Sequence, residues 1–213
     1  RTPLNAIGGY AELMEMGIRG PVTDAQREDL RRVQTSQRHL LGLINEVLNY
    51  ARVDAGQVVY ALEDVPVAEA IAASEALVAP QIQARELTYE FGGCDPALAA
   101  HADADKLQQI LLNLLGNAVK FTRPGGRITA SCMAEEDAVA IRVEDTGIGI
   151  PADRLEHIFE PFVQVDAKLT RNEGGVGLGL AISRDLARAM DGDLTVVSAE
   201  GEGSTFTLRL PRA

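Results

Sequence analysis

Apolar residues recur at alternating intervals of three and four through the first fifty positions. Leu4, Ile7, Ala11, Met14 and Ile18 form one series; Leu30, Val33, Leu40, Ile44, Val47 and Ala51 form another, broken only at Gln37. That spacing puts each series on one side of an α-helix, as in a coiled-coil seam. Gly17-Ile18-Arg19-Gly20-Pro21 supplies the residues that end a first helix. Thr23 with Gln26 three residues on has the form of a capping box, which starts a second. Asp54-Ala55-Gly56 ends it. Two helices alone do not bury such a seam. Pairing two hairpins into a dimeric four-helix bundle is one solution, and packing the hairpin on the rest of its own chain is the other.

Beyond residue 62 the pattern changes. Residues 67–84 are helical and rich in Ala, and 87–91 alternate as a strand does. The strongest helix covers 103–121, with Leu107, Ile110, Leu111, Leu114, Leu115 and Val119 on one broad face. After the Gly125-Gly126 turn, residues 127–134 and 138–144 form a hairpin around Glu135-Glu136-Asp137. Pro151 opens a short helix, residues 163–175 read as a long polar loop, and 176–190 return to helix with Gly192 at its end. Strands at 194–198 and 205–210 close the chain around Glu200-Gly201-Glu202-Gly203. The fold class is α+β: a helical hairpin, then an α/β sandwich with helices on one face of a mixed sheet.

Charge divides the chain in the same place. Lys plus Arg number 20 and Asp plus Glu 31, a formal net charge of −11. Residues 1–62 carry seven of each sign, so the whole excess lies beyond them. The expected domains are 1–58 and 59–213. An acidic chain is unsuited to nonspecific binding of nucleic acid or anionic membranes. No stretch approaches the ~20 apolar residues of a membrane span, and no signal-peptide pattern opens the chain. Cys94 and Cys132 stand in no metal-ligand spacing and read as reduced packing residues of a cytoplasmic protein.

Four clusters in the second half carry chemistry. In Asn113-Leu114-Leu115-Gly116-Asn117-Ala118-Val119-Lys120-Phe121, Asn113, Asn117 and Lys120 share one helical face. Two carboxamides and an amine suit Mg²⁺ and phosphate oxygens, although a solvated polar face explains the spacing equally well. Glu144-Asp145-Thr146-Gly147-Ile148-Gly149 follows a strand, where a carboxylate can accept a hydrogen bond from a base and Gly147 and Gly149 admit a close ligand. A plain strand-ending turn is the other reading. Gly174-Gly175-Val176-Gly177-Leu178-Gly179 precedes a helix, so free N–H groups there can receive an anion. It is neither a Walker A loop nor a dinucleotide fingerprint. Ile158-Phe159-Glu160-Pro161-Phe162 anchors the start of the polar loop, or simply fills core.

In order and spacing, these clusters closely resemble the catalytic and ATP-binding domain of sensor histidine kinases, the histidine kinase/gyrase ATPase type of fold. Residues 113–122 resemble the N box, 145–150 the first glycine box, 159–162 the F box and 175–180 the second glycine box. Arg1-Thr2-Pro3-Leu4-Asn5-Ala6-Ile7 is similar to the tail of the H box in the dimerisation and histidine-phosphotransfer domain. The resemblance implies an ATP-dependent protein-histidine kinase. It implies that Asp145 binds the adenine amino group, that Asn117 holds Mg²⁺ with the ATP phosphates, and that Asn113 and Lys120 lie beside it, Lys120 on phosphate. Phe121 would flank the base. Gly175, Gly177, Leu178 and Gly179 would cradle the phosphates, Arg171 would contact them from the loop, and Thr205 would place a hydroxyl near the adenine pocket. Thr2 matches a position that helps dephosphorylate the partner. The partners implied are a second copy, through residues 1–55, and a response-regulator receiver domain, with no nucleic acid and no membrane contact by these residues.

The family's H box reads His-Glu-Leu-Arg-Thr-Pro, so the phosphoacceptor His is absent from this sequence, which starts at the arginine. His39, His101 and His157 lack H-box context. Two other functions compete. In gyrase-like ATPases a Glu stands four residues before the Mg²⁺-binding asparagine and orients water; here Asn113 cannot act as a general base. A noncatalytic dimeric scaffold would differ in the residue three before Arg1.

Overall fold

The computed structural model describes residues 2–56, 58–163 and 176–213. Helix α1 (Thr2–Glu15) and helix α2 (Asp24–Asp54) form the hairpin. The capping box at α2 is complete: the Gln26 N–H donates to Thr23 Oγ1 at 3.2 Å, and the Thr23 N–H to Gln26 Oε1 at 2.9 Å. The break in the α2 seam has a cause. Gly8 of α1 faces Gln37, and a Cβ on Gly8 would stand 2.9 Å from its side-chain oxygen, so a long polar residue there meets a residue without a side chain. Lower in the hairpin, Glu15 accepts from Arg31 and Gln34, both at 2.8 Å, and these bonds hold its carboxyl below the usual range.

The second region contains strand β1 (Glu63–Pro66), helix α3 (Val67–Ala84), β2 (Thr88–Phe91), β3 (Ala99–Ala102), helix α4 (Ala104–Phe121), β4 (Arg127–Ala134), β5 (Ala138–Asp145), helix α5 (Gly179–Ala189), β6 (Asp193–Ala199) and β7 (Gly203–Pro211). The larger sheet has the order β2-β4-β5-β7-β6; β2 runs parallel to β4 and the other pairs are antiparallel, so it is mixed as expected. One face carries Ile128, Ala130, Val139, Ile141, Val143, Leu194, Phe206, Leu208 and Leu210, all buried. Against it pack the apolar sides of the helices, with Leu107, Ile110, Leu111, Leu114 and Leu115 of α4 at the centre. The opposite face is polar, with Thr129, Ser131, Arg142, Glu144, Thr205, Thr207 and Arg209.

The structure corrects three expectations. A two-stranded antiparallel sheet, β1 with β3, lies where the sequence suggested nothing; β1 reads Glu63-Asp64-Val65-Pro66 and β3 Ala99-Ala100-His101-Ala102, and neither displays an alternation of apolar and polar residues. Helix α5 starts at Gly179 rather than residue 176, because Gly177 has φ +77° and a Cβ there would stand 2.5 Å from the Val163 carbonyl oxygen. Cys94 and Cys132 are not separate thiols: they form a disulfide, with Cα atoms 4.7 Å apart. The β2–β4 pairing runs on past Phe91, with Gly92 N–H to Ala130 O at 2.8 Å and Cys132 N–H to Gly93 O at 3.0 Å, and this sets the two cysteines side by side. Of the expected loop at 163–175, only Val163 is among the described residues.

One of the two packing alternatives for the hairpin, contact with the rest of its own chain, is partly realised. The C-terminal end of α2 rests on the second region: Tyr50 and Val53 pack against its core, and the Tyr50 ring meets Phe162 edge-on at 6.2 Å. Ile7, Met14, Val33, Leu40 and Val47 of the seams remain exposed.

Candidate functional site

Helix α4 positions most of the site. Asp103 caps it by accepting from the Lys106 N–H at 3.0 Å, and its apolar stripe buries it against the sheet. The polar face that remains carries Asn113, Asn117 and Lys120, all half-buried, and ends at Phe121. The eight steps of 1.5 Å from Asn113 to Phe121 make a track about 12 Å long.

At the Phe121 end, α4 meets the glycine turn after β5. The Ile148 N–H donates to the Phe121 carbonyl at 3.2 Å. Asp145, at the end of β5, is buried and accepts from the Gly147 N–H at 2.8 Å. A Cβ on Gly147 would lie 2.6 Å from both Asp145 Oδ1 and the Phe121 carbonyl oxygen, so only glycine fits. Gly149 has φ +67°, and a Cβ there would run into the Ala199 carbonyl. Burial raises the Asp145 carboxyl above its ordinary range, and the charge of Glu144 adds to this; the N–H groups of Gly147 and Ser204 oppose it.

At the Asn113 end, α4 meets the start of α5. Asn113 Nδ2 donates to Ser183 Oγ at 2.9 Å, and Gly179 lies against Asn113 Oδ1 with no room for a Cβ. Leu178, just before α5, is wholly buried and gives no side-chain cap, so the first N–H groups of α5 have no capping side chain. Such a helix start attracts anions. Between the ends, Lys120 Nζ lies 5.1 Å from the Phe121 ring centroid.

Mg²⁺ takes hard oxygen ligands. Among the described residues the Asn117 carboxamide has no hydrogen-bond partner, so its oxygen is available on this face. The donor set therefore fits Mg²⁺ bound jointly with phosphate.

The structure thus brings Asn113, Asn117, Lys120, Phe121, Asp145, Gly147, Gly149, Gly177, Leu178 and Gly179 to one track. It moves the expected hydroxyl. Thr205 pairs across the sheet with Glu144, on the polar outer face, whereas Ser204 pairs with Asp145 on the inner face and is buried. Strand alternation decides this, and a one-residue step reverses the face. Arg171 and Gly175 lie outside the described residues. Thr2 is exposed at the start of α1, separate from this track. His39 is exposed on α2, His101 bonds Asp64 at 3.1 Å, and His157 bonds Glu160 at 2.9 Å.

An acceptor carboxylate, a hard oxygen donor, an amine and an uncapped helix start lie along one helix of a mixed-sheet sandwich attached to a helical hairpin, an arrangement suited to a nucleotide. Residues 102–213 match the family described as histidine kinase-, DNA gyrase B-, and HSP90-like ATPase, and residues 1–56 match the His Kinase A (phospho-acceptor) domain. The chain belongs to the sensor histidine kinases. An uncharacterized sensor-like histidine kinase of Rhizobium meliloti is 39% identical over 212 residues, covering 99% of this chain and 40% of that protein. The circadian input-output histidine kinase CikA of Synechococcus elongatus is 37% identical over 215 residues, covering 99% of this chain and 28% of that protein. The crystal structure of full-length ShkA in complex with AMPPNP superposes with a TM-score of 0.86 at 36% identity, over 100% of this chain and 44% of that one. The chain therefore spans less than half the length of these relatives.

Proposed function

We propose that this chain is the catalytic core of a sensor histidine kinase that transfers the γ-phosphoryl group of ATP to a bundle histidine and then to an aspartate of a response-regulator receiver domain. Its two domains are residues 1–58 and 59–213, and two copies pair through residues 1–55. Asp145 accepts the adenine amino group and Phe121 flanks the base. Asn117 would hold Mg²⁺, which would supply neutralisation of the phosphate charge. Lys120 contacts phosphate. The N–H groups from Gly177 to Gly179, with Gly175 and Arg171, receive the phosphate chain. Thr2 assists dephosphorylation of the regulator.

One observation carries the reading: one face of α4, about 12 Å long, meets the turn beside a buried carboxylate at one end and an uncapped helix start at the other. The AMPPNP bound to the ShkA relative supports it. Asn113 favours kinase over ATPase, because its amide nitrogen is already donated to Ser183 and it has no basic group to activate water. No helix among the described residues is long and apolar enough to cross a membrane. We assign the core to the cytoplasm, where ATP is supplied.

Titration with AMPPNP and Mg²⁺ tests nucleotide binding. Incubation with γ-labelled ATP tests transfer: a chain extended upstream through the H box takes up acid-labile, base-stable label, and residues 1–213 alone take up none. Label on residues 1–213 would make His39, His101 or His157 the acceptor and overturn the assignment.

A further inference from the structure

Arg184 belongs to none of the motif clusters, yet it makes two unlike contacts. It lies on the second turn of α5, five residues after Gly179. Its Nε and Nη2 donate to the two carboxylate oxygens of Asp193, at the start of β6, at 3.0 and 3.4 Å. The same guanidinium lies over the ring of Phe159, 4.7 Å from the centroid. A planar, forked cation can do both at once, and a lysine cannot. The pair is only partly exposed, at 28% for Arg184 and 39% for Asp193. Burial alone would raise the Asp193 carboxyl; the bonds from Arg184 and the Leu194 N–H outweigh it and hold the carboxyl below its ordinary range.

Phe159 connects to the anion-binding start of α5 through a few residues. Three positions on, Phe162 has φ +66°, a conformation that costs a bulky residue energy and is held by its surroundings. Its N–H donates to the Gly177 carbonyl at 3.0 Å. The Val163 carbonyl fills the space a Cβ on Gly177 would need. Gly177 leads directly into Leu178 and Gly179, where α5 starts beside Asn113 without a side-chain cap.

We infer that Arg184 is a positioning residue for the nucleotide's phosphates: by stacking on Phe159 while anchored to Asp193, it fixes segment 159–163, which in turn fixes the Gly177–Gly179 backbone. The inference rests on the proposed nucleotide site and adds to it a residue that touches no ligand. Its effect is confined to the phosphate end, because the adenine end is set by Asp145 and Phe121.

The test compares AMPPNP with Mg²⁺ against adenosine, which lacks phosphates, on the unaltered chain and on Arg184→Met, Phe159→Leu and the double variant. Arg188 also donates to Asp193, at 3.2 Å, so that carboxylate keeps a partner when Arg184 is replaced and the variants should fold. Each single variant should weaken AMPPNP binding about fivefold, with adenosine binding unchanged. The double variant should be no weaker than the worse single, since both break one linkage. Arg184→Lys should fall between the unaltered chain and Arg184→Met. Equal AMPPNP affinity in all variants, equal losses for both ligands, or multiplying losses in the double variant would overturn the inference and leave the nucleotide site standing. If the unaltered chain bound neither ligand, the proposed function would fall and take this inference with it.

Discussion

On α2, Val33, Leu40 and Val47 keep 43%, 43% and 42% of their surface exposed; on α4, Leu107, Ile110 and Leu114 keep 0%, 0% and 1%. The apolar spacing of both stretches is helical. What differs is the partner the chain supplies. The sheet provides α4 with a complete apolar face of Val, Ile, Leu and Phe. Helix α1 is a single narrow element, and of the residues it lays on α2 only Ala11 is fully buried. An amphipathic pattern therefore states that a helix has an inside without stating whose. Here one inside is closed by the same chain and the other lies open, which is the arrangement a bundle completed by a second copy requires.

The largest expected effect falls on the open seam. Leu40→Asp with Ile44→Asp would bury charge in a paired bundle at a cost of several kcal/mol. Sedimentation should show monomers, and titration should show nucleotide affinity unchanged. A chain already monomeric before substitution would break the comparison, since the seam would then have no partner.

Next comes the closed core. Leu114→Ala should cost about 2–5 kcal/mol of sandwich stability by chemical denaturation. Leu40→Ala should cost well under that when the chain is dilute, and more as concentration rises. Equal, concentration-independent losses would mean that the two helices are buried alike in solution.

A smaller effect separates the site from the core that carries it. Asp145→Asn should lose about 1.5–3 kcal/mol of nucleotide affinity. The melting temperature of the nucleotide-free protein should not fall, because burial disfavours the Asp145 charge. The pH dependence follows from the same shift. The proton that binds Asp145 removes the acceptor for the adenine amino group, and its affinity for that proton is raised. Nucleotide affinity should therefore begin to fall, on acidification, above the ~3.9 of an ordinary aspartate, and Asp145→Asn should abolish that acid limb.

The smallest effect contrasts the two faces of β7. Ser204→Ala, beside Asp145, should weaken nucleotide binding by about fivefold, near 1 kcal/mol, whereas Thr205→Ala, beside Glu144, should leave it unchanged. The reverse result would shift the β5–β7 register by one residue.

Much of this was legible along the chain because it depends on neighbours within one turn or one strand. The Thr23–Gln26 cap, the Leu/Ile stripe of α4, the β4–β5 hairpin and the glycine positions around Asp145 are local patterns, and each is present as read. The histidine kinase family was legible for a related reason: its motifs are short, and their order survives in the linear sequence.

Other features depend on which distant segments meet, and there the sequence was silent or misleading. The β1–β3 pair, the Cys94–Cys132 pair and the Arg184–Phe159 stack each join residues whose proximity follows from strand register or helix placement. Composition suggested free thiols, but the extension of the β2–β4 pairing put the cysteines together. Thr205 and Ser204 are equally plausible hydroxyls in sequence, and only the β5–β7 register separates the buried one from the outer one. The sequence by itself determined the faces of the elements, the turns between them and the chemistry at their ends, because those follow from backbone periodicity and from what glycine, proline and capping side chains permit. Tertiary structure alone decided which faces close within the chain, which side chains share a site and which seam stays open. Contact between residues tens of positions apart is set by the joint packing of the whole, and no local pattern contains it.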